Sequence, residues 1–174
     1  MINYLATQKN WQNAFSDTIT SFAELAQALD LPIDSFDSQV GQFPLKVPRR
    51  FVQKMGKGDI HDPLLKQVLP TFQETVQVTG FVTDPLDEQH ANPVKGIIHK
   101  YASRVLIPVT GACVVNCRYC FRQHFDYHEN LPTQNDWQAI SAYITAHPAV
   151  NEVILSGGDP LSLSNRRLLE IFTI

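Results

Sequence analysis

The chain has 174 residues, 44% of them hydrophobic and 18% charged, with a formal net charge of −3. That is a globular composition, long enough for one ordinary domain plus a small extension. It excludes a global field that would draw the chain to DNA, RNA or anionic lipid, and no stretch approaches the roughly 20 apolar residues of a membrane span. The opening MINYLATQKNWQNAF has no basic segment leading into an apolar run, as a secretory signal would. A cytoplasmic location is expected.

In chain order, Phe22, Leu25, Ala26 and Leu29 repeat at helical spacing. They predict a helix over 18–29, with Ser16 or Asp17 as cap and Pro32 past its end. Residues 31–50 carry Pro32, Pro44 and Pro48 and read as an irregular connector. Lys46, Arg49, Arg50, Lys54 and Lys57 form a local basic cluster. It is either a solvated face or a docking surface for an acidic or RNA-bound partner. Asp62–Leu69 predicts a short helix stopped by Pro70, and residues 80–98 are turn-rich.

The pattern changes at Arg104. Val105-Leu106-Ile107-Pro108-Val109 is the apolar, β-branched run of a strand buried on both faces. Its proline points to a sheet edge or an irregular point. A cysteine-bearing loop follows, then a helix over 136–147 with Trp137, Ile140 and Ile144 on one face, ended by Pro148. Val153-Ile154-Leu155 reads as a second buried strand. A last helix starts near Asn165, with Leu168, Leu169 and Phe172 as its apolar residues. Strand, loop, helix, strand, loop, helix is a βαβ order and predicts a parallel sheet. Both unusual loops then sit at the C-terminal ends of adjacent strands, the edge on which parallel α/β folds place their chemistry.

All three cysteines lie in one run, Cys113-Val-Val-Asn-Cys117-Arg-Tyr-Cys120. A secreted protein would spread cysteines in pairs to staple distant loops, so a tight odd cluster points to metal ligation in a reducing compartment. Three thiolates on a cubane of four irons leave one iron open to another molecule. The competing reading is zinc, with His124 as the fourth ligand of a Cys3His site, although four residues after Cys120 is cramped spacing. The second loop is Gly157-Gly158-Asp159 after the second strand. Alone it is a strand-to-helix turn. Glycines there also let a backbone approach a ligand closely.

Together the two motifs resemble the radical S-adenosylmethionine (SAM) superfamily, whose signature is C-x3-C-x-aromatic-C. The resemblance implies a [4Fe–4S] cluster on Cys113, Cys117 and Cys120, whose open iron chelates the amine and carboxylate of SAM and whose electron releases a 5′-deoxyadenosyl radical. Tyr119 would contact the adenine, and Gly157, Gly158 and Asp159 would hold the methionine ammonium. His99-Lys100-Tyr101, Arg104-Val105-Leu106, CRYCFRQHF and SGGDPL narrow the likeness to the lysine 2,3-aminomutase family, as do residues 43–70 and GFVTDPLDEQH at 80–90. NWQNAF, DPLLKQVLP and DPLDEQH fit the branch whose product is attached to elongation factor P by a separate ligase.

What this implies is a pyridoxal phosphate (PLP)-dependent shift of an amino group from C2 to C3 of L-lysine, giving β-lysine, with the cofactors carrying the chemistry. A free-lysine aminomutase serving catabolism or osmolyte synthesis is the rival role. Arg122 matches the family arginine that pairs with the substrate carboxylate, a task suited to a planar guanidinium. Its bland alternative is a surface charge. Lys100 and Arg104 match a basic pair near the PLP phosphate. Tyr101 would line the same pocket or sit in the core. Gln123 departs from the family's frequent second arginine. His124 and His128 read as loop residues with local hydrogen bonds.

The resemblance implies an α/β fold: a helical, irregular N-terminal extension over 1–98, then the first βα units of a truncated, partial TIM-like radical SAM barrel over 99–174. A βαβ unit takes roughly 30 residues, and only two βα units fit where the family barrel has about six. The family's PLP-binding lysine, and the carboxylates that read the substrate's distant ammonium, belong to the half that is not here. Two expectations follow: a fragment with little aminomutase activity, or a missing half supplied by another chain, with homo-oligomers left open.

Overall fold

A computed structural model of the chain describes residues 15–36 and 43–173. NWQNAF, apart from its final Phe15, and residues 37–42 of the expected connector lie outside the described residues. The chain divides into two compact units: residues 1–81 with 114–120, and residues 82–113 with 121–174.

In the first unit, Thr18–Ile19 (β1) pairs antiparallel with Val47–Pro48 (β2), Ile19 opposite Val47. The helix expected from residue 18 is therefore shorter, Phe22–Ala28 (α1), with Ser21 rather than Ser16 or Asp17 at its N-cap. The β-branched Thr18-Ile19 pair takes the strand that helical periodicity alone assigns to the helix. The C-terminus of α1 closes when the Leu31 amide bonds Ala26 O at 3.0 Å. Asp30 adopts the left-handed φ of 55° that a short polar side chain tolerates.

The expected connector also holds a turn of helix, Arg49–Val52 (α2). The helix expected over 62–69 is one turn, Leu65–Val68 (α3). Asp62 starts it, Oδ1 accepting from the Leu64 and Leu65 amides at 2.8 and 2.9 Å. Oδ2 accepts from the Gly56 amide at 2.9 Å, so one carboxylate closes the preceding loop as well. A 3₁₀ turn at Phe72–Thr75 carries a capping box between Thr71 and Glu74. Ile19, Leu25, Leu29, Val47, Leu65 and Val68 form the buried core of this unit, and Val115 packs against it.

In the second unit, Ile98–Tyr101 (β3), Arg104–Thr110 (β4) and Glu152–Gly157 (β5) form a sheet in the order β3-β4-β5. β3 is antiparallel to β4 and β5 parallel to it, Val105 facing Val153 and Pro108 facing Ser156. β3 is a strand the sequence does not predict, because Ile-His-Lys-Tyr has no apolar run; its Ile98 falls in the turn-rich 80–98 and the rest carries no assignment. Pro108 lies in the central strand, not at an edge. The register shifts between Pro108 and Thr110, which makes it the irregular point.

The β4–β5 connection runs through Tyr127–Asn130 (α4) and Asp136–Ala146 (α5). Trp137 and Ile140 of α5 are buried with Ile97, Val105 and Ile107, while Ile144 packs at the margin. The βαβ order and its parallel pair are thus present, and the unit is α/β.

One expectation fails here, and the last helix lies where it was expected. β5 lies at the end of the sheet order, and Val153 is 46% exposed, so this strand is not buried on both faces. The last helix, Asn165–Phe172 (α6), is capped by Ser164, whose Oγ accepts from the Arg167 amide at 3.2 Å. It buries Ile171, while Leu169 and Phe172 are exposed. Ile171 shares its face with Leu168 three residues earlier, and Leu169 with Phe172 lies on the neighbouring one.

Candidate functional site

β4 and β5 run side by side and release their loops together. The Gly158 amide donates to Thr110 O at 2.6 Å and the Asp159 amide to Ala112 O at 2.8 Å. The Ala112 amide in turn bonds Thr110 Oγ1 at 3.1 Å. The start of the cysteine loop is therefore laced to the Gly-Gly-Asp segment by main-chain bonds.

This lacing gives both glycines a structural reason. Gly157 has φ 114°, and a Cβ there would overlap the Thr110 carbonyl oxygen; a Cβ on Gly158 would overlap the Ala112 carbonyl oxygen. The close approach seen is to a neighbouring backbone. The Asp159 carboxylate accepts from the Leu161 amide at 3.0 Å and starts the 3₁₀ turn Pro160–Ser162.

The three cysteines are thiols, each partly exposed. Cys113 falls in the second unit, Cys117 and Cys120 in the first. The Cys120 amide bonds Cys117 O at 3.0 Å, a tight turn between the two. Burial pushes the Cys117 thiol above its ordinary pKa, the neighbouring Cys120 adds to this, and a hydrogen bond with Tyr119 opposes it. Among the described residues, no three His, Cys, Asp or Glu side chains are gathered as a metal site.

The donor chemistry nevertheless fits a cluster: three thiols within eight residues are soft ligands suited to iron–sulfur cores. Tyr119 is 68% exposed, its hydroxyl 3.4 Å from Gln67 Oε1.

Arg122 is not a surface charge. Its side chain and that of Glu88 are each 6% exposed. Nε donates to Glu88 Oε2 at 2.8 Å and Nη2 to Glu88 Oε1 at 2.6 Å, a bidentate pair, while Nη1 donates to Ser156 Oγ at 2.6 Å. The guanidinium also lies over the rings of Phe121 and Phe125, 4.9 and 5.8 Å from their centroids. Thr83, Asp84, Glu88 and His124 line a small recess beside it.

Sequence reasoning places Glu88 inside a family-like segment without giving it a task. The available signal is general: a buried arginine needs a carboxylate. Which acid supplies it, 34 residues away, no spacing rule says.

Lys100 and Arg104 have separate partners. Lys100 Nζ donates to Leu86 O. Arg104 Nε pairs with Glu152 Oε2 at 3.2 Å, and its guanidinium lies 5.9 Å from the Tyr101 ring centroid. Tyr101 is exposed, so it is no core aromatic. His128 is an exposed residue beside Glu129.

Residues 102–173 match the family model described as a 4Fe-4S single cluster domain. The chain is 44% identical over 164 residues to an L-lysine 2,3-aminomutase of Haemophilus influenzae and 43% identical over 166 residues to one of Escherichia coli. It is 37% identical over 165 residues to one of Buchnera aphidicola. These alignments cover 92%, 93% and 92% of this chain, and 48% of each relative. The chain thus spans about half the length of the curated relatives it matches, and it is similar to L-lysine 2,3-aminomutases over nearly all of its own length.

Proposed function

We propose that this chain is the cluster-bearing part of a radical SAM, PLP-dependent lysine 2,3-aminomutase of the cytoplasm, converting L-lysine to (R)-β-lysine for attachment to elongation factor P. The observation that carries the proposal is the lacing of two loops at the ends of parallel strands. One bears the first of three closely spaced cysteines, and the other is Gly157-Gly158-Asp159. In this reading residues 99–174 open a radical SAM barrel.

Cys113, Cys117 and Cys120 would hold the [4Fe–4S] cluster. Tyr119 and the Gly157–Asp159 segment would hold SAM, and Lys100 with Arg104 would flank the PLP phosphate. When bound, these groups supply radical generation and a π-system for nitrogen migration. The chain's own residues bind and orient. Arg122, gripped by Glu88 on its Nε–Nη2 edge and by Ser156 at Nη1, would receive the lysine carboxylate. Two carboxylates on one guanidinium fix its plane and so fix the substrate's orientation. The Cys117 thiol, raised by burial, must lose its proton to ligate, so cluster loading releases protons.

The test is anaerobic cluster reconstitution followed by assay for SAM cleavage to 5′-deoxyadenosine. Cleavage that disappears in Cys120→Ser is expected. A loaded cluster with no cleavage would overturn the SAM reading.

A further inference from the structure

Between Cys117 and Tyr119 stands Arg118, which the motif leaves unassigned. Its amide donates to Gln67 O at 2.7 Å. Its Nε pairs with Glu74 Oε1, and its Nη2 donates to Thr71 Oγ1 at 3.2 Å. The Glu74 carboxylate is itself fixed by the capping box, accepting from the Thr71 amide at 3.2 Å. Two residues earlier, the Asn116 amide bonds Lys46 O at 2.9 Å and its Nδ2 bonds Pro44 O at 2.9 Å. Val115 packs on the core of the same unit. Thus Asn116 is tied to segment 44–46, Arg118 to segment 67–74 and Val115 to the core of the unit, and none of these ties uses a cysteine.

We propose that Arg118 and Glu74 are positioning residues for the cysteine loop, holding Cys117 and Cys120 in place for the cluster from the N-terminal segment. An irregular loop that is ordered before metal arrives has less conformational entropy to lose on ligation, and less to regain by letting the metal go. A partly exposed ion pair adds little to global stability. Its loss therefore acts on the loop more than on the melting temperature. The iron readout rests on the cluster reading above; the anchoring itself does not.

The experiment compares anaerobically reconstituted wild-type chain with Arg118→Ala, Glu74→Ala, their double variant, Arg118→Lys and Arg49→Ala. The last removes an ion pair with Asp17 and Glu24 in the same unit. Iron release to a chelator is followed, and in the apo chain the alkylation rate of Cys117.

Arg118→Ala and Glu74→Ala are expected to release iron at least about fivefold faster, as the loss of a charge-assisted hydrogen bond implies. Cys117 should alkylate faster in both, the double variant should be no worse than either single, and Arg118→Lys should recover part of the loss. Arg49→Ala should stay at the wild-type rate. Anchor variants at the wild-type rate, or Arg49→Ala matching them, would overturn the proposal. Should Glu74→Ala not fold, Glu74→Gln, which keeps a capping acceptor and drops the charge, takes its place. If the wild-type chain takes up no iron and sulfide, the cluster reading fails, and the same comparison of alkylation rates decides the anchor by itself.

Discussion

Arg122 and Glu88 illustrate how much of this chain is decided by single side chains. Both charges are almost wholly out of water, so each depends on the other. Removing one partner strands the other: Glu88→Ala is expected to cost about 3–5 kcal/mol, read by urea unfolding of the isolated chain. Glu88→Leu with Arg122→Met should cost less than Glu88→Ala alone, because it strands no charge. Gly157→Ala and Gly158→Ala are each expected to destabilise by about 1–3 kcal/mol, seen as a lower Tm, since a Cβ meets the carbonyl of Thr110 or Ala112. A wild-type Tm for Gly158→Ala would argue against the lacing of the two loops. At this scale the cysteine motif was legible because its three members are neighbours in sequence. Glu88 and Glu74 were not, because a salt bridge across 34 or 44 residues leaves no periodic trace.

At the scale of elements, legibility followed burial. α5 and β4 were readable because their apolar positions meet one core, Trp137 and Ile140 against Val105 and Ile107. β3 was not, because a polar strand held by main-chain bonds needs no apolar pattern. α6 lies where its apolar residues indicate, although listing them does not say that Ile171 is the one it buries. α3 is a short helix held by one acid. The Gly56 amide, then those of Leu65 and Leu64, hold the Asp62 carboxyl below its usual range against the opposing effect of burial. A depressed folded pKa means this stabilisation is complete above the unfolded value near about 3.9 and is lost as pH falls through the lower folded value. Asp62→Ala should therefore be less stable than wild type at neutral pH, and the gap should narrow in acid unfolding below about pH 4. A gap that widens as pH falls would show that the carboxylate is not the stabilising form.

At the scale of the whole chain, the α/β class followed from element order alone. The return of residues 114–120 to the first unit carries no compositional mark, since it is made by main-chain bonds, a few side-chain bonds of Asn116 and Arg118, and the packing of Val115. That return divides the cysteines between the two units, Cys113 on one side and Cys117 with Cys120 on the other. No helix among the described residues is long and apolar enough to cross a membrane. The account turns on what the three thiols hold, and metal and sulfide analysis of the anaerobically reconstituted chain measures that directly. About four iron and four acid-labile sulfide per chain, lost in Cys113→Ser, is the expected result; stoichiometric zinc with no sulfide would contradict it.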